Sequence, residues 1–208
     1  VEIGDVNAPS ATSAIYMFQE CYGLKTVGTL TLTSCTILTK LFYYCQSLKT
    51  IKNVVFSSSA SSVSCSNMYA RCYSLTKAFI PQVPISDASS MFFYCYALSE
   101  ILPVGGVFDL SGTTSRSYLR QVFYYCYNLE RLPNTKFSTS SSYSGSTSSI
   151  YFVRYARNLR EIPAIDFSAA TVGGGSRWLY ISGTKLVRCQ MTGMTQSVYF
   201  INSDLSAD

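Results

Sequence analysis

The residues of this chain that could carry chemistry are eight cysteines, seventeen tyrosines and a short arginine run, with no histidine anywhere. Cys21, Cys45, Cys72, Cys95 and Cys126 recur one at a time, never as a Cys-x-x-Cys pair. Without histidine or paired cysteines, no zinc-ligand spacing exists. We expect these five as free thiols, buried as small apolar packing groups. If each rides on a helix and adjacent helices lie about 10 Å apart, their Cα atoms exceed the roughly 7 Å that a disulfide can span. Cys35, Cys65 and Cys189 fall in other segments and are less constrained.

The aromatic residues cluster around those cysteines. Tyr22, Tyr43, Tyr73, Phe93, Tyr96, Tyr124 and Tyr127 occupy positions expected to face outward, with Tyr44, Tyr94, Tyr125 and Tyr155 between them. A tyrosine offers a large rigid face with one polar tip, which suits an interface; ring-on-ring packing is the other reading. Arg154, Arg157 and Arg160, spaced by three, form either an anion patch or a solvated face beside Glu161. Asp87, Asp109 and Asp166 recur two residues ahead of a serine, as Asx turns would require. A calcium row would need more than one carboxylate per site. Eleven scattered acids show no pair suited to glycoside hydrolysis, and the commonest general base is missing. The expectation is no catalytic residue, no metal, no cofactor and no enzyme activity.

These residues sit on a repeat. Eight segments align without gaps, from Met17, Leu41, Met68, Met91, Val122, Phe152, Leu179 and Val198. The shared pattern is apolar–aromatic–x–x–Cys–x–x–Leu–x–x–apolar, with Ala156, Gly183 and Asn202 in the cysteine column of the last three copies. Start-to-start spacings run 24, 27, 23, 31, 30, 27 and 19. Positions one, five and eight fall at about 0°, 40° and 340° around a helix. The spacing therefore predicts short helices near 15–24, 40–48, 66–75, 89–98, 118–129 and 150–159. Apolar residues two or three apart follow, with Pro81, Pro103, Pro133 and Pro163 nearby, and read as short strands bounded by turns. The Ser-rich stretches 57–66 and 137–149 read as return loops, the second as a contact loop.

A unit this short cannot bury its own apolar face, so neighbours must stack. The expected fold is an α/β repeat: one curved, leucine-rich-repeat-like solenoid over 1–208, with short parallel strands on the concave face and short helices on the convex face. The curvature follows from strands about 4.8 Å apart backed by helices about 10 Å apart. The repeats resemble the BspA-type leucine-rich repeats and the bacterial surface-protein repeat MFxxCxxLxxLPxLDxS. Met91-Phe92, Cys95, Leu98 and Ile101 with Asp109-Leu110-Ser111 carry the resemblance, as do Leu159, Ile162-Pro163 and Asp166-Phe167-Ser168. Similar repeats occur in bacterial adhesins and phage structural proteins, so the resemblance implies attachment or assembly.

Charge is sparse, at 13% of residues, and uneven. Residues 111–190 hold ten Lys/Arg against three Asp/Glu, while 1–110 are balanced at six and six. That basic half suits an anionic partner but is too dilute for nucleic acid. No apolar run of transmembrane length exists, so membrane insertion is not expected. The expected function is a non-enzymatic recognition or adhesion module on a cell surface or virion, binding a protein or glycan receptor. The alternative is a purely structural subunit binding neighbouring subunits of a fibre, tail or capsid. Neither end shows a capping unit, which predicts a segment of a larger protein.

Overall fold

Stacked repeats must satisfy backbone hydrogen bonds as well as bury side chains, and here one ladder does both. The computed structural model describes residues 1–137, 150–166, 179–192 and 198–201. They form a parallel β-solenoid of about 7 turns. In chain order the strands are β1 (Glu2–Ile3), β2 (Val6–Asn7), β3 (Thr26–Leu32), β4 (Thr50–Phe56), β5 (Val63–Ser64) and β6 (Lys77–Phe79). There follow β7 (Ile85–Asp87), β8 (Glu100–Leu102), β9 (Val107–Leu110), β10 (Phe123–Tyr124) and β11 (Asn134–Phe137). The last are β12 (Ile150–Arg154), β13 (Glu161–Asp166), β14 (Leu179–Ser182), β15 (Arg188–Thr192) and β16 (Val198–Ile201). Every pairing is parallel and joins one coil to the next: β1 and β2 to β3, β3 to β4, β5 to β7, β6 to β8. Two longer sheets follow, β9–β11–β13–β15 and β10–β12–β14–β16.

The solenoid is as expected, but the helices and the leucine-rich-repeat form are not found. Among the described residues the one helical element is a 3-10 turn, Arg116–Leu119. The segments read as helices are chains of tight turns. In the first copy Met17 N–H donates to Ala14 O and Cys21 N–H to Phe18 O, both at 3.3 Å. The third residue of each turn, Tyr16 and then Glu20, has φ near +60°. Intervening N–H groups leave the coil: Phe18 donates to Leu41 O at 2.9 Å and Glu20 to Tyr43 O at 2.7 Å. The pattern repeats through Lys40 and Tyr44, Asn67 and Arg71, Ser90 and Tyr94, Gln121 and Tyr125. An α-helix would have closed all these bonds within itself; the turns spend half on the neighbouring coil. With no helix layer, the spacing argument for a curved shape also lapses.

The inward residues are the aromatic at position two, the cysteine at five and the leucine at eight, with position one beside them from the second copy on. Phe18, Phe42, Tyr69, Phe92 and Phe123 form one buried column. Its rings lie 5.2, 5.7, 5.6 and 5.2 Å apart, with interplanar angles below 10°. Leu24, Leu48, Leu75, Leu98, Leu129 and Leu159 line the next corner of the core.

All eight cysteines are free. Cys45, Cys72, Cys95 and Cys126 are buried, whereas Cys21, in the first full coil, is half-buried against the core. The distance argument against disulfides does not hold, because coils advance by the strand spacing of about 4.8 Å, within bridging range. The thiols instead point at carbonyls of the preceding coil. Cys45 Sγ donates to Phe18 O at 2.9 Å, Cys72 to Phe42 O at 3.0 Å, Cys95 to Tyr69 O at 3.1 Å and Cys126 to Phe92 O at 3.2 Å. Each of these carbonyls also accepts the cysteine N–H of its own turn. Cysteine therefore fits this column as a small apolar group that also supplies a weak donor.

One register differs from the ungapped alignment. Arg154 pairs with Ser182 and Tyr155 N–H donates to Ser182 O. Gly183, with φ +65°, thus stands beside Tyr155, not in the cysteine column beside Ala156. A Cβ on Gly183 would sit 3.1 Å from the Tyr155 backbone, so glycine fits where φ and space both restrict the residue. Asn202, Phe167, Ser168 and residues 138–149 of the contact loop expected over 137–149 lie outside the described residues.

Candidate functional site

The turn segments place the outward tyrosines of successive coils one above another, because the ladder fixes their spacing. Tyr22, Tyr44, Tyr73, Tyr96 and Tyr127 form a continuous outer row, with centroids 5.2, 5.9, 5.2 and 5.2 Å apart. The first two contacts are edge-to-face and the last two are stacked. Arg157 continues the row, its guanidinium 5.2 Å from the Tyr127 ring. A second row runs beside it. Arg71 lies between Tyr44 and Tyr94, at 5.2 and 5.9 Å from their rings. Tyr94, Tyr125 and Tyr155 then stack at 4.8 Å.

A third cluster closes the face. Phe93 meets Tyr124 at 5.5 Å. Arg154 lies 4.6 Å from Tyr151, 4.7 Å from Tyr155 and 5.6 Å from Tyr124, and its Nη2 donates to the Tyr155 hydroxyl at 2.9 Å. Lys40 covers Tyr16 and Tyr43. These turns carry four cations, Lys40, Arg71, Arg154 and Arg157, and one acid, Glu20, which accepts a hydrogen bond from the Tyr22 hydroxyl at 3.0 Å.

Of the seven candidate interface residues, Tyr22 is exposed; Tyr43, Tyr73, Phe93, Tyr96, Tyr124 and Tyr127 are half-buried. Their faces are covered by one another, so edges and hydroxyls are what they offer outward. Burial among neighbouring rings pushes the Tyr73, Tyr96 and Tyr124 hydroxyls above the usual phenol range. Arg154 and Arg157 join this aromatic face, while Arg160 sits beyond Leu159, where its N–H donates to Glu130 O and the next side of the coil begins. The second row, with Arg71 inside it, did not emerge from the sequence as a site. Its signal was the recurrence of one repeat position, meaningful only once the coil spacing is known.

Asp87 and Asp109 make turns. Asp87 Oδ1 accepts from Ser89 N–H at 2.8 Å and its hydroxyl at 2.6 Å, and Asp109 Oδ1 accepts from Ser111 N–H at 2.9 Å. Burial raises the Asp87 carboxyl despite those bonds. Among the described residues, no group of three or more metal-ligating side chains comes together, and no helix is long and apolar enough to cross a membrane. No protein-family model, curated protein or solved structure matches this chain.

Proposed function

We propose that this chain is a non-enzymatic recognition module of a cell or virion surface, binding an extended glycan or protein along its tyrosine face. The observation that carries this reading is the pair of tyrosine rows punctuated by Arg71, Arg154 and Arg157. A chain-like partner laid along the solenoid meets hydroxyl donors at about the 4.8 Å coil spacing. The guanidinium groups suit carboxylate or sulfate on that partner, which favours an acidic glycan. The recurring Met-Phe-x-x-Cys-x-x-Leu unit, similar to bacterial surface-protein repeats, supports the same placement.

The test is the double variant Tyr96→Phe with Tyr127→Phe, which keeps both stacked rings and removes their hydroxyls. Stability should change by less than about 0.5 kcal/mol per site. Binding to an array of neutral and acidic polysaccharides should fall by tenfold or more. Unchanged binding would remove the tyrosine hydroxyls from the site. Self-association of the wild-type chain, lost in this variant, would instead fit a structural subunit of a fibre, tail or capsid.

A further inference from the structure

On a different side of the coil, the ladder breaks. β4 pairs with β3 along its length, from Thr26↔Thr50 to Leu32↔Phe56. Its other edge has no strand partner among the described residues: β6 pairs onward to β8, and Thr76 N–H meets Lys49 O only at the base of β4, at 3.4 Å. The reason is local. After three residues of β6 the chain turns inward, burying Ile80 and Pro81, and proline has no N–H for a ladder. In parallel strands alternate residues turn their N–H and C=O groups to opposite neighbours. Part of the Asn53–Phe56 backbone therefore faces a gap.

That gap is a cavity of about 590 Å³. Val54, Val55 and Phe56 form one wall and Leu102, Pro103 and Val104 the other, with Phe79 and Ile80 between. Val55 is 37% and Val104 73% exposed, unusual for valine. No acid lines the cavity. Lys49 and Lys52, on or just before β4 and outside the cavity lining, are exposed and make no ion pair among the described residues, whereas Lys77 is held by Glu100 at 2.7 Å.

We propose that this cavity is a strand-addition site for an extended acidic peptide segment of another protein. The peptide backbone pairs with the free edge of β4, its alternate apolar side chains fill the cavity, and its acidic flank meets Lys49 and Lys52. The volume alone would suit a small apolar molecule. The open edge beside it selects a peptide, because main-chain bonds plus pockets for alternate side chains are how strands are added to sheets. The exposed Lys49 and Lys52 supply the charge preference.

The probe is a fluorescent, end-blocked octapeptide alternating valine and threonine between glutamates, titrated into the full 208-residue chain and read by anisotropy. Saturable binding is expected, with slowed amide exchange at Val54 and Phe56. Replacing the central valine of the peptide by proline should weaken binding at least tenfold and leaves the protein untouched. Val104→Asp, at an exposed position, should weaken the parent peptide at least tenfold, while Tyr96→Phe/Tyr127→Phe should not. Failure of the parent peptide to bind, or equal binding of the proline peptide, overturns the proposal. Displacement of the peptide by an apolar dye, with the proline change having no effect, would make the cavity a small-molecule site instead. Peptide-blocked dimerisation of the chain would make the occupant a second copy.

Discussion

At single residues, the most unusual demand of this fold is on backbone conformation. Eleven non-glycine residues among those described hold positive φ, most of them at two fixed places in each turn segment. Such residues cost on the order of 1–3 kcal/mol each unless their surroundings compensate. Here each occupies a turn whose N–H groups reach the next coil, as when Ser90 donates to Arg120 O at 2.8 Å. Ser90, at φ 54°, is the cleanest place to test this, because its side chain makes no ring contact. A β-branched residue resists that region more than serine does. Ser90→Val should destabilise by about 1–3 kcal/mol, and Ser90→Asn or Ser90→Gly by less than about 0.5 kcal/mol. Urea melts of the three variants check this. In a helix the order would reverse, since glycine would be the most costly.

Among elements, the core column and the outer rows differ in what holds them. Phe92 is fully buried and stacked on Tyr69 and Phe123. Phe93, the next residue, is half-buried and touches Tyr94 and Tyr124. Phe92→Ala should therefore cost about 3–5 kcal/mol through lost burial and a residual cavity. Phe93→Ala should cost only about 0.5–1.5 kcal/mol, the scale of aromatic pairing beyond burial. Equilibrium denaturation of the pair measures the contrast. Equal losses would mean the outer face is as structural as the core.

Across the whole molecule, the thiol column couples stability to alkaline pH. Burial pushes the Cys45 thiol up to about 12. Cys65, Cys72, Cys95 and Cys126 are raised too, by burial first. Above about pH 8.5 the unfolded chain releases these protons while the folded chain keeps them. The unfolded state then binds fewer protons, so stability falls as pH rises. Each thiol contributes a slope of about 1.4 kcal/mol per pH unit once the unfolded form is ionised. Below pH 8 the thiols should add no pH dependence. Urea midpoints between pH 7 and 11 should drop steeply above 9, and Cys72→Ala/Cys95→Ala should flatten that drop. A flat profile in the wild type would mean the thiols are solvated.

Before any coordinates, the recurrence of Met91-Phe92, Cys95 and Leu98 at intervals of about two dozen residues already required neighbours to stack, because such a unit cannot close its own core. Solenoid organisation was legible for that reason, and the Asx turns at Asp87 and Asp109 from the Asp-x-Ser pattern. Helix or turn was not. Apolar residues at positions one, two, five and eight satisfy both, and apart from Asn67 the positive-φ sites carry Tyr, Arg, Lys, Glu, Gln or Ser instead of the glycine or asparagine that would have marked them. Hydrogen bonds decided between the two, and they connect residues some 25 positions apart, such as Phe18 with Leu41 and Cys45 with Phe18. Only that coil-to-coil spacing brings Tyr94 onto Tyr125 and Arg71 between Tyr44 and Tyr94. The open edge of β4 is likewise a tertiary fact: Pro81 was visible in the sequence, but that its inward turn leaves an apolar cavity depends on where the next coil lies.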